Sequence, residues 1–460
     1  TTGADNVAVG FDALRQATTG SSNVAVGRSA LDANTTASNN TAVGHYAMVT
    51  NTTGHSQVAF GFGALDANTT GIQNTALGYD ALSSNTTAAY NVAVGTSSLD
   101  ANTTGAANVG VGFSALGANT TGGTNTAIGH EALDANTTGA NNAAMGYNSL
   151  GANTTGSSNV GIGLNALLAN TTADLVTAVG ANAMAANTTG IDNVAFGASA
   201  LATNTTGKFL TAIGYEALLT HNTTNGGGVL STAVGYKALK LETTGSGNTA
   251  VGGGTLDNLT TGEATTGVGV NALGAQTTAS NNVAVGYNAG DVITTSPSNT
   301  LLGHSADPSS ATSSGHEIAI GANATGKGTS TGFINPNGGG VFQGNNASSW
   351  SQTSDRRIKK NIEDNTTGID AINQIRIRNF EYRTEDEITD FDNTKAAVVK
   401  KEGIQLGVIA QELETIFPEM VKTESTGVKT INPDNLTWYL VNAVKELSAK
   451  VEELENKLGE

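Results

Sequence analysis

The sequence predicts a mainly β fold, in which a β-solenoid or β-roll shaft of 17-residue repeats is followed by an α+β domain that ends in a coiled-coil helix. Three observations support this fold class. Glycine returns at a fixed interval over most of the chain, a short strand-like segment precedes each of these glycines, and basic residues are concentrated near the C-terminus. A fixed period of this length is typical of a solenoid, in which a repeat stacks on its neighbours because it cannot bury its apolar face alone.

The glycine period is regular over most of the chain. It holds without a slip over the first thirteen glycines and continues with small insertions over six more. These period glycines are Gly10, Gly27, Gly44, Gly61, Gly78, Gly95, Gly112, Gly129, Gly146, Gly163, Gly180, Gly197, Gly214, Gly235, Gly252, Gly269, Gly286, Gly303 and Gly321.

Each repeat contains the parts of one coil. Val24 and Val26 flank an alanine at the two-residue period of a strand, so they share a face. A large apolar residue, such as Leu31, stands four positions after the glycine. The repeat then passes through Asn-Thr-Thr-Gly, where Asn and Gly tolerate positive φ and are expected to form the corner. Stacking at roughly 4.8 Å per step predicts ladders of like residues and a shaft of about 85 Å.

Composition limits the kinds of protein that this chain can be. It has 59 glycines, 5% aromatic residues and no cysteine. One short coil has too small an interior to be stable alone, so several chains are expected to associate. The net charge of −17 argues against nucleic acid as a partner, because phosphate binding needs clustered Lys and Arg. No signal peptide and no run of about twenty apolar residues is visible, so no membrane insertion is expected.

The chain is expected to contain three segments. Residues 1–323 form the repeat shaft, residues 324–353 a linker or cap, and residues 354–460 a separate domain. Fifteen of the 21 basic residues lie after residue 345, where the period ends. Thr1-Thr2-Gly3 has the phase of a repeat and no initiator Met, so the sequence is expected to begin inside a longer protein.

The last domain resembles a known family. The segments that carry the resemblance are, in order, Ser354-Asp355-Arg356-Arg357-Ile358-Lys359, Gly407-Val408-Ile409-Ala410-Gln411-Glu412 and Phe417-Pro418-Glu419-Met420-Val421. They are similar to the intramolecular chaperone domain of bacteriophage tail fibres, tailspikes and endosialidases. This resemblance implies a domain that trimerises the chain and then cuts itself off.

The resemblance also implies the residues that cut. Ser354 would be the nucleophile and Lys359 the general base of a Ser-Lys dyad, with the scissile bond at Thr353-Ser354. Lysine can activate a serine hydroxyl if desolvation lowers the pKa of its amine. The domain would then be a single-turnover, self-cleaving serine endopeptidase, and no turnover enzyme is expected in the repeats. Ser-Asp before a basic stretch is also an ordinary helix or turn start.

A final helix is predicted from about Asn435. Its apolar residues step by four and three, which places Val444, Val451 and Leu458 at a positions and Leu440, Leu447 and Leu454 at d positions of a coiled coil. Lys450 at g can meet Glu455 at e of a neighbouring chain. Val at a with Leu at d favours two strands, whereas the family implies three. We follow the family, because about three heptads do not set the stoichiometry of a large assembly.

Other site chemistry is not expected. The histidines have no pair at ligand spacing, so they are expected in solvent-facing loops, and neither a metal nor a cofactor is predicted. They are His45, His55, His130, His221, His304 and His316. The Asn-Thr-Thr triplets fit the acceptor pattern for N-glycosylation but are expected to stay bare and to stack as ladders.

Three function classes are open. The first is a homotrimeric phage tail fibre, a virion protein made in the host cytoplasm that attaches to a host surface glycan or other receptor and contacts other tail proteins. The second is a trimeric surface adhesin with a retained, non-cleaving chaperone domain, since the strand also resembles the head repeats of trimeric autotransporter adhesins. The third is an ice-binding or mineral-binding solenoid. Adjacent threonines such as Thr35 and Thr36 should point to opposite sides, which disfavours the third class, and the C-terminal domain favours the first.

Overall fold

The chain divides into two units, Thr1–Thr353 and Ser354–Glu460. The computed structural model describes residues 2–223, 230–312, 315–335, 341–343, 356, 359–390, 399, 401–423 and 427–459. The proposed subdivision of the first unit at residue 323 stays a prediction.

The first unit is built from three-residue strands. In order they are β1 (Val7–Val9), β2 (Val24–Val26), β3 (Thr41–Val43), β4 (Val58–Phe60), β5 (Thr75–Leu77), β6 (Val92–Val94), β7 (Val109–Val111), β8 (Thr126–Ile128), β9 (Ala143–Met145), β10 (Val160–Ile162), β11 (Thr177–Val179), β12 (Val194–Phe196), β13 (Thr211–Ile213), β14 (Thr232–Val234), β15 (Thr249–Val251), β16 (Thr266–Val268), β17 (Val283–Val285), β18 (Thr300–Leu302), β19 (Ile318–Ile320), β20 (Gly332–Ile334) and β21 (Val341–Gln343).

The strands form one ladder along the chain. Each of β1–β19 pairs in parallel with the next strand, and β21 pairs antiparallel with β20. The register step is 17 residues in most pairs, as between Val24 and Thr41. It is 21 residues between β13 and β14, 18 between β18 and β19, and 14 between β19 and β20. The predicted β-solenoid is therefore confirmed, with about 19 turns.

The period glycine is required by both conformation and space. Gly10 has φ 134°, which L side chains rarely adopt. A Cβ on Gly10 would also lie 2.5 Å from the carbonyl oxygen of Gly27 in the next coil. Glycine therefore returns once per coil because neighbouring backbones touch at this point.

The corner differs from the expected one. Asn119 and Gly122 of one Asn-Thr-Thr-Gly segment do not have positive φ, whereas Ser114 (φ 50°) and Leu116 (φ 56°) do. Asn119 closes the corner with its side chain instead, because its Nδ2 donates to the carbonyl oxygen of Gly122 at 2.9 Å. The left-handed backbone places the side chain of Leu116 in the interior, where it is fully buried. The prediction that Asn and Gly form the corner through positive φ is therefore wrong.

The strands turn their middle residue inward. Ala25 is fully buried, while Val24 and Val26 on either side are only half-buried. The interior is completed by the alanine and leucine that follow the glycine, such as Ala30 and Leu31. The interior is therefore narrow, and the branched residues of the strands face outward.

Asparagine ladders run through the interior. In one ladder Asn68 Nδ2 donates to Asn51 Oδ1 at 2.8 Å. In the other, the backbone N–H of Asn40 donates to Asn23 Oδ1 at 3.0 Å. All four side chains are fully buried. The expected stacking of the Asn-Thr-Thr asparagines is confirmed, and their amides are satisfied by neighbouring coils, as buried polar groups must be.

The second unit is α+β. Its elements are α1 (Ile369–Ile372), β22 (Arg378–Phe380), a 3₁₀ turn (Glu385–Glu387), β23 (Gln405–Gly407), α2 (Ala410–Glu414), a second 3₁₀ turn (Pro418–Met420), β24 (Val421–Thr423), β25 (Lys429–Ile431) and α3 (Leu436–Leu458). β22 pairs antiparallel with β23, and β24 pairs antiparallel with β25. Leu413, Phe417 and Met420 form its small core. The predicted final helix is confirmed as α3, with Asn435 at its N-cap.

Candidate functional site

The predicted dyad lies at the start of the second unit. Thr353 and Ser354 are outside the described residues. Lys359 is described and exposed, and its backbone N–H donates to the carbonyl oxygen of Arg356 at 3.2 Å. Lys360 beside it is also exposed. The pairing of Ser354 with Lys359 therefore stays a prediction.

The segment that follows Lys359 is held on helix α3. Asn442 Nδ2 donates to the carbonyl oxygens of Asn365 at 2.9 Å and Thr367 at 3.3 Å. Glu446 Oε2 accepts from the backbone N–H of Ile369 at 2.9 Å. Both side chains are half-buried. Sequence reasoning missed this contact. The available signal was an asparagine inside a helix, where its propensity is poor, four residues before a glutamate on the same face.

Helix α3 has two different faces. Ala443 is buried against the rest of the unit, and Tyr439 stacks on Phe417 with ring centroids 4.7 Å apart. The heptad residues lie on another face and are exposed, from 44% for Leu440 to 86% for Leu458. Such an apolar stripe on a helix is the arrangement that a coiled coil buries.

Ion pairs hold the small elements of this unit together. Arg378 on β22 makes two hydrogen bonds to Glu412 on α2, with Nη2–Oε1 at 2.8 Å and Nε–Oε2 at 3.2 Å. The hydrogen bonds from Arg378 lower the pKa of Glu412. Lys429 on β25 pairs with Glu414 of α2 at 2.5 Å. These contacts tie α2 to β22 and to β25.

An open apolar cavity lies beside α3. Its volume is about 320 Å³, and Ile372, Ile377, Met420 and Leu436 are among the residues that line it. Leu440, the first d residue of the heptad stripe, also lines it. The cavity is therefore continuous with the stripe and contains no catalytic groups in its lining.

The histidine prediction is wrong for one residue. His221 is fully buried, with Nδ1 3.3 Å from Glu242 Oε1. His221 and Glu242 occupy the asparagine-ladder position in successive coils, which places both in the interior. His55, His130, His304 and His316 are exposed. His45 is half-buried.

Across the described part of the chain, no three or more His, Cys, Asp or Glu side chains are grouped so that they could hold a metal ion. No helix among the described residues has the length and apolar character that a membrane span requires.

Comparison with known proteins finds one family match, in the second unit. The family model described as the chaperone of endosialidase matches residues 354–422. No curated protein matches the chain. The C-terminal unit carries a chaperone of endosialidase domain. With a β-solenoid of about 19 turns and 17-residue repeats, the chain fits a tail fibre or endosialidase-type protein. This family suggests a homo-oligomeric phage fibre that is a component of the virion.

Proposed function

We propose that the protein is a homotrimeric tail fibre of a bacteriophage that attaches to the host cell, and that its C-terminal domain drives trimerisation and then removes itself. The observation that carries this proposal is the position of the family match. It begins at residue 354, the predicted nucleophile, which is also the first residue of the second unit. A self-removing domain needs its cleavage point at such a boundary, because the cut must leave both units intact.

The outer face of the strands supports association of the shafts. In β1–β19, none of the outward positions holds a charged residue. The column just before the period glycine comprises Val9, Val26, Val43, Phe60, Leu77, Val94, Val111, Ile128, Met145, Ile162, Val179, Phe196, Ile213, Val234, Val251, Val268, Val285, Leu302 and Ile320. A face about 85 Å long and about 10 Å wide offers about 850 Å² per chain. Stable interfaces bury about 800 Å² per partner, so this face is large enough to join chains.

The self-cleavage step follows from the dyad. Ser354 Oγ attacks the carbonyl carbon of Thr353 while the Lys359 amine takes the hydroxyl proton. The C–N bond breaks, an ester to Ser354 Oγ forms, and the lysine ammonium returns a proton to the leaving nitrogen. Water then hydrolyses the ester, which leaves the Thr353 carboxylate and a new N-terminus at Ser354. Because Lys359 is exposed in a single chain, this step requires the burial that other chains supply, since burial favours the neutral amine.

The test is the fate of the full-length chain. Wild-type protein should yield fragments 1–353 and 354–460, whereas Ser354→Ala and Lys359→Ala should each leave it intact and trimeric. Lys360→Ala is the matched control and should cut nearly normally. Denaturing electrophoresis with intact mass measurement reads the boundary. Cleavage that persists in Ser354→Ala would refute the dyad, and an uncut wild-type trimer would favour the adhesin alternative.

A further inference from the structure

We propose that Asn442 and Glu446 are positioning residues for self-cleavage: they fasten the segment that follows the dyad to helix α3, so that assembly of the helix sets the geometry of the cut. This inference rests on the proposed self-cleavage. It concerns the clamp, defined as the three hydrogen bonds from these two side chains to the backbone of residues 365–369.

The clamp is specific in its donors and acceptors. Asn442 uses its amide nitrogen to reach two carbonyl oxygens, at 2.9 Å to Asn365 and 3.3 Å to Thr367. Glu446 accepts from the N–H of Ile369, the first residue of α1. Gly368 makes room for this contact, because a Cβ there would collide with the carboxylate of Glu446. Side chains of α3 therefore hold the segment at three backbone groups: the carbonyl oxygens of Asn365 and Thr367 and the N–H of Ile369.

The clamp lies close to the dyad along the chain. Asn365 is six positions after Lys359. An extended chain spans at most about 3.6 Å per residue. Lys359 is therefore tethered within about 22 Å of the clamp. A fixed end at this distance restricts where the dyad lysine can lie.

The clamp is compatible with the coiled coil. In the heptad of α3, Asn442 stands at f and Glu446 at c, while Val444 between them stands at a. Positions c and f face away from the seam between helices. One helix can therefore join other chains through its a and d residues and hold its own dyad segment through the opposite face. The clamp and the coiled coil therefore do not compete for the same face of α3.

The test separates cutting from assembly. Asn442→Asp removes both donors with almost no change of shape, and Glu446→Leu removes the acceptor. Each should slow self-cleavage of the full chain at least about tenfold, because small displacements of reacting groups cost rate steeply. Each variant, combined with Ser354→Ala, should still give a trimer by light scattering. Glu446→Gln keeps an acceptor oxygen and should cut close to the wild-type rate.

The controls use the same helix. Asn456 lies two heptads after Asn442 at the same position and is exposed, so Asn456→Asp should cut normally. Gly368→Ala should slow cutting as Glu446→Leu does. If the clamp variants form trimers and still cut at the wild-type rate, this inference is wrong, and the proposed self-cleavage stands. Slow cutting that comes only with loss of the trimer would also overturn the inference. A wild type that does not cut would overturn the proposed function and the clamp together.

Discussion

Interior residues of the shaft are matched in size across neighbouring coils. Where the residue three positions after the period glycine is larger than alanine, the facing strand residue is glycine. The three pairs are Ser98 with Gly110, Ser149 with Gly161, and Thr255 with Gly267. A Cβ on Gly110 would lie 2.6 Å from Ser98 Oγ, and that hydroxyl instead donates to the carbonyl oxygen of Gly110 at 2.9 Å. These glycines are therefore required because a Cβ would collide with the neighbouring side chain, not because of their backbone φ.

This matching predicts a coupled pair of substitutions. Gly110→Ala alone should destabilise the shaft by about 1–3 kcal/mol through overpacking. The double variant Ser98→Ala/Gly110→Ala recreates the alanine pair of the preceding coil, Ala81 with Ala93, and should recover most of that loss. Chemical denaturation of the four proteins measures the coupling. Strictly additive effects would contradict the pairing.

Asp307 makes the stability of the shaft depend on pH. Burial, and to a smaller extent the charge of Asp291, raises the pKa of Asp307 from 3.8 to about 6. The folded state thus favours the protonated carboxyl, and this contribution is fully present below pH 3.8 and is lost as pH rises through about 6. Asp307→Asn should therefore raise the melting temperature at pH 7.5 and leave it nearly unchanged at pH 3.5. The exposed Asp192→Asn serves as control, and an equal gain for Asp307→Asn at both pH values would refute the argument.

Strand elements show where sequence reasoning succeeds and where it stops. The repeat, the strand before each glycine and the asparagine ladders follow from spacing alone. The direction of Val24 and Val26 does not, because Val-Ala-Val has the same alternation whichever face is inward. Tertiary packing decides the direction, because Leu31 already fills the narrow interior and only a small residue fits in the middle of the strand opposite it. The left-handed conformation of Leu116 could not be predicted either, because leucine rarely adopts positive φ and its sequence gives no indication of it.

The buried pair His221–Glu242 interrupts an asparagine ladder. Replacing only one of the two residues by asparagine should destabilise the shaft by about 3 kcal/mol, because it leaves an ionisable group buried without its partner. His221→Asn/Glu242→Asn continues the ladder from Asn204 and should be at least as stable as the wild type. Thermal and chemical unfolding of the three variants checks this. A double variant less stable than the wild type would contradict this expectation.

At the scale of the whole molecule, like coils create a register problem. The outward residues of β1–β19 are similar from coil to coil, so chains shifted by one 17-residue step make nearly the same contacts. A domain at the C-terminus that joins chains first would fix the starting point. The chaperone domain that would do so was predictable from motif order, and the family match at residues 354–422 agrees with it. The Ser354–Lys359 dyad stays a prediction. The clamp was missed, because an asparagine four residues before a glutamate in a helix does not identify the backbone atoms 77 residues away that Asn442 contacts.

The register problem predicts the fate of a truncated chain. Protein that ends at Thr353 should be insoluble or form particles of mixed mass, because no domain sets the alignment. Full-length Ser354→Ala keeps the domain attached and should give about three times the 46.1 kDa chain mass by light scattering. Soluble trimers of uniform mass from the truncated chain would show that the shaft aligns itself. A monomeric Ser354→Ala chain would refute the trimer.

The contact between period glycines has a genetic consequence. Each coil from β2 to β12 presents to its neighbours the same glycine backbone contact, a ladder asparagine and a buried leucine or methionine, so either side of a missing coil already fits the other. Loss or duplication of one 17-residue unit in the gene therefore changes the length of the shaft by roughly 4.8 Å without creating a new contact between coils. Recombination between near-identical repeats can therefore lengthen or shorten the shaft in equal steps. Such changes should have little effect on folding, so selection can act on the length of the shaft.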